Sequence, residues 1–228
     1  MKICIIPDVH GEEHWKKIKS HINNYDKIIF LGDYADHFTM GTNRQLSNFN
    51  QIIKFKIANK DKVCLCWGNH DTSYYLGEKC SGYQYAREFD WIEMYKKYNQ
   101  LFEVVYIFDK WIFSHAGVSG EWLRLTGLKD PKDINQLFKE RAGYFYWVGP
   151  DSYGNNPTEG PLWIRPEALC YTALKGYSQM VGHTAVENAP KKVFENTETG
   201  DQIVLTDSRK YNCIIELDTE TNKYEKLI

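Results

Sequence analysis

Five times along this chain an apolar, strand-like run stops on a cluster of oxygen and imidazole donors. Ile3-Cys4-Ile5-Ile6 is followed by Asp8-Val9-His10, and Ile28-Ile29-Phe30-Leu31 by Gly32-Asp33-Tyr34-Ala35-Asp36. Val63-Cys64-Leu65-Cys66-Trp67 runs into Gly68-Asn69-His70-Asp71, Trp111-Ile112-Phe113 into Ser114-His115-Ala116-Gly117, and Met180-Val181 into Gly182-His183-Thr184. Open α/β sheets carry their sites at the carboxyl ends of strands, so the five clusters are expected to meet on one rim. Four of the seven histidines fall inside these clusters, which a random scatter of polar turns does not explain.

The rest of the pattern fills in the scaffold. Strand-like runs at 2–7, 27–32 and 63–68 alternate with helical patterns at about 12–24 and 44–58, the signature of βαβ units and a largely parallel first sheet. Residues 103–108 and 111–114, joined by Asp109-Lys110, read as a hairpin. Segments at 179–183, 193–196, 202–206, 212–217 and 223–228 suggest a second, more antiparallel sheet. The expected fold is therefore a two-sheet α/β/β/α sandwich forming a single domain over residues 1–228, a length that buries a substantial core.

Composition narrows the partners. A formal net charge of −2 gives no basic footprint, so nucleic acid and anionic membrane surfaces are not expected partners. No apolar run approaches the roughly 20 residues needed to span a bilayer, and the amino terminus enters a strand at once, with no signal peptide. The six cysteines form no C-x-x-C pair, and most sit in apolar runs as small core hydrophobes, which fits a reducing cytoplasm.

The donor clusters suit hydrolysis of phosphate esters, which needs a strong nucleophile at neutral pH and positive charge on the transferring phosphoryl group. Two divalent cations about 3.5–4 Å apart supply both. Cations that close need a shared anionic ligand, and Asp33 is the candidate bridge. Asp8 and His10, two apart on a segment expected to be extended, point to the same side and can chelate one metal together. Asn69, His115 and His183 supply neutral donors for the second. Mixed carboxylate and imidazole sets favour manganese, with iron or zinc as alternatives, over magnesium and calcium.

The ordered set D-x-H, G-D-x-x-D, G-N-H-D, H-A-G and G-H-T, spanning residues 8 to 184, resembles the calcineurin-like metallophosphoesterase superfamily. Its spacing is closest to the phosphoprotein phosphatase (PPP)-like serine/threonine phosphatases of bacteria and phages. That resemblance implies that Asp8, His10 and Asp33 hold the first metal, and Asp33, Asn69, His115 and His183 the second. It also implies that His70 protonates the leaving group and is oriented by Asp36. The residue order agrees, since His70 directly follows a ligand and an extended backbone would turn its side chain away.

The match has gaps. Asp36-His37-Phe38 stands where eukaryotic members continue with Arg-Gly, whose arginine contacts the substrate phosphate, and Pro7 stands where Gly is usual. Gly160-Pro161-Leu162-Trp163-Ile164-Arg165 is similar to a bacterial segment whose W-x-R supplies a substrate-side arginine, which makes Arg165 the candidate. His37 is a second candidate for substrate contact; His14 and His21, in an expected helix, read as structural. Aromatic residues crowd 72–102, where most should be core, and 143–163, where they could line a loop beside the site and meet a nucleobase or a peptide.

The expected activity is hydrolysis of phosphomonoesters, on a phosphoprotein or small phosphorylated metabolite, by in-line attack of a metal-bound hydroxide. The alternatives are a nucleotide hydrolase such as a dinucleoside tetraphosphatase, a phosphodiesterase, or a protein-interaction scaffold on the same fold. An intact His70–Asp36 pair argues against the scaffold, which has no need of an acid beside metal ligands.

Overall fold

Residues 1–149, 153–208 and 213–228 are described by the computed structural model. In chain order the strands are β1 (Lys2–Ile6), β2 (Lys27–Phe30), β3 (Val63–Cys66), β4 (Phe102–Glu103), β5 (Val105–Phe108), β6 (Trp111–Ser114), β7 (Ser178–Val181), β8 (Lys191–Glu195), β9 (Gln202–Leu205), β10 (Ile215–Asp218) and β11 (Lys223–Lys226). The α-helices are α1 (Thr42–Ala58), α2 (Asn69–Leu76), α3 (Glu88–Tyr98), α4 (Gly120–Thr126), α5 (Ile134–Glu140) and α6 (Pro166–Tyr171).

Side-chain alternation sets the layers, because successive residues of a strand face opposite sides. Ile3 and Ile5 of β1 join Ile29, Cys64, Cys66, Ile215 and Leu217 on the face that meets Trp111, Phe113, Met180 and Val204 of the other sheet. Cys4 and Ile6 face the opposite way with Ile28, Phe30, Val63 and Leu65, against Phe49, Ile52 and Ile53 of α1 and Trp91 and Tyr95 of α3. Beyond the second sheet, Val181, Ile203 and Leu205 pack on Ala168 and Leu169 of α6. The result is the expected helix, sheet, sheet, helix sandwich.

The first sheet runs β11-β10-β1-β2-β3-β4 and the second β5-β6-β7-β9-β8. β1 to β4 are parallel to one another. In the second sheet β6, β7 and β9 are parallel, flanked by antiparallel β5 and β8. One expectation is corrected here: the two last segments join the first sheet, with Ile3 opposite Leu217 in the antiparallel β1/β10 register. Alternation of Ile215 and Leu217 with Glu216 and Asp218 fixes which face is buried, but both sheets offer an apolar face to the same inter-sheet layer. Glu216, on the other face, is held by Lys2 Nζ at 2.7 Å. Asn212, with which that expected segment began, lies outside the described residues.

A second correction concerns 12–24, where His14–Asn24 is 3₁₀ rather than α-helical. Its buried side chains, Trp15 and Ile18, are three apart, the spacing that a three-residue turn stacks on one side. The four cysteines in apolar runs, Cys4, Cys64, Cys66 and Cys213, are buried and free. Of the 72–102 aromatics, Tyr74, Tyr83, Trp91, Tyr95 and Phe102 are core, while Tyr85 and Phe89 are exposed. Among the described residues no helix is long and apolar enough to cross a membrane.

Candidate metal centre

The rim is built by tying strand-end loops to one another. The loop after β1 lies on the loop after β2, with His10 N donating to Asp33 O at 2.6 Å and Gly11 N to Tyr34 O at 3.0 Å. After β7, Gly182 N donates to His115 O at 2.8 Å, and His183 N reaches both Asp8 carboxylate oxygens at 3.1 and 3.0 Å. These ties force unusual backbone: His10, Asp33, Asp36 and His183 adopt φ of 40°, 52°, 67° and 61°. Such left-handed conformations in non-glycine residues are costly and cluster at functional sites. They also correct the expectation of an extended Asp8–His10 segment. Likewise Asn69 and His70 open helix α2 rather than continuing a strand, and the helical turn separates their side chains.

Three imidazoles are prepared as neutral donors. His115 Nδ1 donates to Leu31 O at 2.9 Å, His10 Nδ1 to Ala35 O at 2.8 Å, and His183 Nε2 to Trp163 O at 3.1 Å. A carbonyl oxygen can only accept, so each contact fixes the tautomer and leaves the other ring nitrogen without a proton. Burial holds His10 down to about 3, and keeps His115 and His183 well below the ordinary histidine range. The bare nitrogens then face other acceptors. His115 Nε2 is 2.8 Å and His183 Nδ1 3.0 Å from Asn69 Oδ1, with 3.1 Å between the two nitrogens.

Asp33 sits at the centre. Its Oδ2 is 3.6 Å from His10 Nε2 and 3.5 Å from His115 Nε2. Donor atoms of His10, Asp33 and His70 lie within 4.8 Å of one another, as do those of Asp8, Asp33 and His115. Asp33 thus belongs to both triads, whereas Asp8 and His10 fall into different ones. Burial raises Asp8 and Asp33 well above the usual carboxylate range, with Asp207 adding to the rise at Asp8 and Asp71 at Asp33. Two motif glycines make this crowding possible. A Cβ on Gly68 would stand 2.2 Å from Asp33 Oδ1, and one on Gly182 2.1 Å from Asp8 Oδ1.

His70 is furnished differently from the other three. Its Nδ1 pairs with the buried Asp36 carboxylate at 2.9 Å, and Tyr74 OH donates to the other Asp36 oxygen. Arg165 also reaches the rim: Nη1 donates to His183 O at 2.9 Å and Thr184 Oγ1 at 3.0 Å. The charges of Asp8 and Asp33 act on its guanidinium, against the larger effect of burial. His37 is occupied elsewhere, its Nδ1 accepting from Thr39 N and Met40 N and its Nε2 facing Glu12 at 3.3 Å. The ring nitrogens of the half-buried His14 have no hydrogen-bond partner among the described residues, and the exposed His21 bonds Lys17 O of its own helix.

Two carboxylates escaped the sequence reading. Asp71 takes Asp33 N and Gly68 N on Oδ2, and Tyr34 N and the Tyr95 hydroxyl on Oδ1, at 2.5 to 2.8 Å. Asp207 follows β9, beside the end of β7 in parallel register, and is 3% exposed; burial pushes it up to about 7. It ends the apolar run 202–206, so the strand-end logic applied to the other clusters would have found it.

The calcineurin-like phosphoesterase family model matches residues 1–187. The chain belongs to that family. Over 100% of its length it superposes on a cold-active protein-tyrosine phosphatase of a psychrophilic Shewanella species, with 17% identity, 80% of that chain covered and a TM-score of 0.63. A Saccharomyces cerevisiae protein serine/threonine phosphatase is similar over 99% of this chain and 79% of its own, at 13% identity and a TM-score of 0.58. A Sphaerobacter thermophilus metallophosphoesterase gives 100% and 89% coverage, 13% identity and a TM-score of 0.56. At these identities the likeness shows the fold. No curated protein matches the chain.

A calcineurin-like phosphoesterase is a metal-dependent hydrolase of phosphate esters, and the family implies divalent cations. The rim fits them. Bare imidazole nitrogens, an amide oxygen and crowded carboxylates repel one another unless a cation lies among them, and the neutral histidines are already in the ligating form. The rim in turn depends on Asp71. In Asp71→Asn an NH₂ group replaces one oxygen and faces two donors. Buried donors left unpaired cost about 1–3 kcal/mol each, so a loss of about 2–6 kcal/mol in urea unfolding is expected. Unchanged unfolding would show that the two loops hold together without this carboxylate.

Proposed function

We propose that this calcineurin-like phosphoesterase is a dinuclear phosphomonoesterase, one catalytic domain acting on phosphoproteins or small phosphorylated metabolites. The observation that carries the reading is the convergence on one rim of the Asp8 and Asp33 carboxyl groups, the Asn69 amide oxygen and the ring nitrogens of His10, His115 and His183. Asp8, His10 and Asp33 would hold one cation, and Asp33, Asn69, His115 and His183 the other, with manganese preferred and iron or zinc as alternatives. When bound, such cations neutralise phosphoryl charge and acidify a water to serve as nucleophile.

The chain's own residues do the rest. His70 is the general acid, because it is backed by a carboxylate while the other three imidazoles are backed by backbone carbonyls. Asp36 fixes the ring and stabilises the charge it carries between taking up a proton and passing it to the leaving oxygen. Arg165 is anchored through one nitrogen on the His183 carbonyl and the Thr184 hydroxyl, and its remaining donors fork onto phosphate oxygens. The Shewanella and yeast structures are named as phosphoprotein phosphatases, which supports a phosphoprotein substrate.

A second reading rests on Trp147 and Trp163, stacked at 5.5 Å and 16°, with Trp163 edge-on to His183 at 6.2 Å. This pair favours a base-carrying substrate such as a dinucleoside polyphosphate. Pro150, Asp151 and Ser152 of the same expected loop lie outside the described residues.

His70→Asn should keep its metal content and lose about 10²–10⁴-fold in turnover of alkyl phosphates. Aryl phosphates with acidic phenols, whose leaving groups scarcely need a proton, should suffer far less. Equal losses on both would remove His70 from the acid role.

Arg165→Ala should raise KM and lower kcat/KM for phosphomonoesters about 10- to 150-fold, the equivalent of a charged hydrogen bond worth about 1.5–3 kcal/mol. Arg165→Lys should recover part of this. Assaying both variants on a phosphopeptide and a dinucleoside polyphosphate also decides between the two readings, by which one the unaltered chain turns over faster. Normal kinetics in Arg165→Ala would pass the phosphate-binding role to another side chain.

A further inference from the structure

An asparagine amide presents an oxygen and an NH₂ group of nearly the same shape, and only the oxygen can hold a cation. Something must therefore choose the orientation of Asn69. Its Oδ1 faces His115 Nε2 at 2.8 Å and His183 Nδ1 at 3.0 Å, but neither bare nitrogen has a proton to give, so they do not hold the oxygen in place. The partner on the other side of the amide is a thiol: Asn69 Nδ2 donates to Cys80 Sγ at 3.5 Å.

Cys80 is well placed for this. It lies eleven residues beyond Asn69, in the chain that follows α2 after the left-handed turn at Gly77. Besides the amide, two groups at the start of α2 hold the thiol. Ser73 Oγ is 2.7 Å from the sulfur, the S–H reaches Asn69 backbone O at 3.4 Å, and Ser73 Oγ bonds the same carbonyl at 3.0 Å. With its proton directed to that carbonyl, the sulfur presents lone pairs to the amide. An acceptor placed behind a metal-ligating side chain, where a donor such as Nδ2–H can reach it, is the usual device for orienting that side chain. No backbone carbonyl or carboxylate does this for Asn69 among the described residues; sulfur does.

We propose that Cys80 is a positioning residue that fixes the Asn69 amide with its oxygen toward His115 and His183, and so sets the affinity of the cation position those three residues share. This rests on the reading that Asn69 is a ligand. The thiol acts through the amide and touches neither substrate nor reacting atoms.

The test is calorimetric titration of Mn²⁺ into the full chain, stripped of metal with a chelator, with Asn69→Ala identifying the binding step that depends on Asn69. Cys80→Ala and Cys80→Val should weaken that same step about 10- to 100-fold, leaving the other step within about threefold, while Cys80→Ser, which keeps an acceptor, restores most of the affinity. Valine fills the volume without accepting a hydrogen bond, so it separates orientation from packing even if the alanine variant folds poorly.

Wild-type binding in Cys80→Val would overturn the proposal, as would a Cys80→Ser variant that melts normally yet binds as weakly as Cys80→Val. Should Asn69→Ala itself bind Mn²⁺ normally, the ligand assignment of Asn69 fails and takes the proposal with it. Loss in Asn69→Ala without loss in the Cys80 variants rejects the role of Cys80 alone.

Discussion

The carboxylate of Asp71 accepts four hydrogen bonds, three of them from the backbones of the two loops that follow β2 and β3. A carboxylate as fully buried as this one is stable only if its lone pairs are used, and here all of them are. Two of those bonds reach Asp33 N and Gly68 N. They fix the backbone that carries the central carboxylate and the glycine whose missing Cβ leaves that carboxylate room. Burial raises Asp71 to about 6, against the opposing pull of these same bonds. Asp33, its neighbour in charge, is raised as well, by burial and by the nearby Asp71.

From this anchor the rest of the rim follows as a chain of close approaches. Four donor-bearing residues take left-handed backbone, two carboxylates are pressed against glycines, and three imidazoles spend one nitrogen on a carbonyl so that the other is bare. None of these features favours folding by itself. Together they make a set of lone pairs that oppose one another, a conflict that a divalent cation resolves. The two-sheet scaffold, with its large inter-sheet core, is what holds such a set in place.

Much of this was readable in the chain. Runs such as Ile28–Leu31 and Val63–Trp67 announce buried strands, and polar clusters at their ends announce a rim, because side-chain period and strand polarity are properties of sequence. Backbone angles at the ends are not. His10 and His70 were expected on extended backbone, and loop-to-loop hydrogen bonds that no local pattern encodes turned one into a left-handed residue and the other into a helix start. Asp71 sat in plain view in Gly68-Asn69-His70-Asp71, yet its partners come from another loop and from α3. The placement of β10 was illegible for a similar reason, since both sheets present an apolar face to the same layer. Cys80 read as one more cysteine outside any motif; only the return of the chain after Gly77 brings it to Asn69.

As proposed, Asp33 is the carboxylate that two cations would share. Crystals of the full chain grown with Mn²⁺, measured by anomalous diffraction at the manganese edge, test it directly. Two peaks per chain are expected, both in contact with the Asp33 carboxylate, one also bound to Asp8 and His10 and the other to Asn69, His115 and His183. A single peak at full occupancy, or two peaks of which only one touches Asp33, would contradict it.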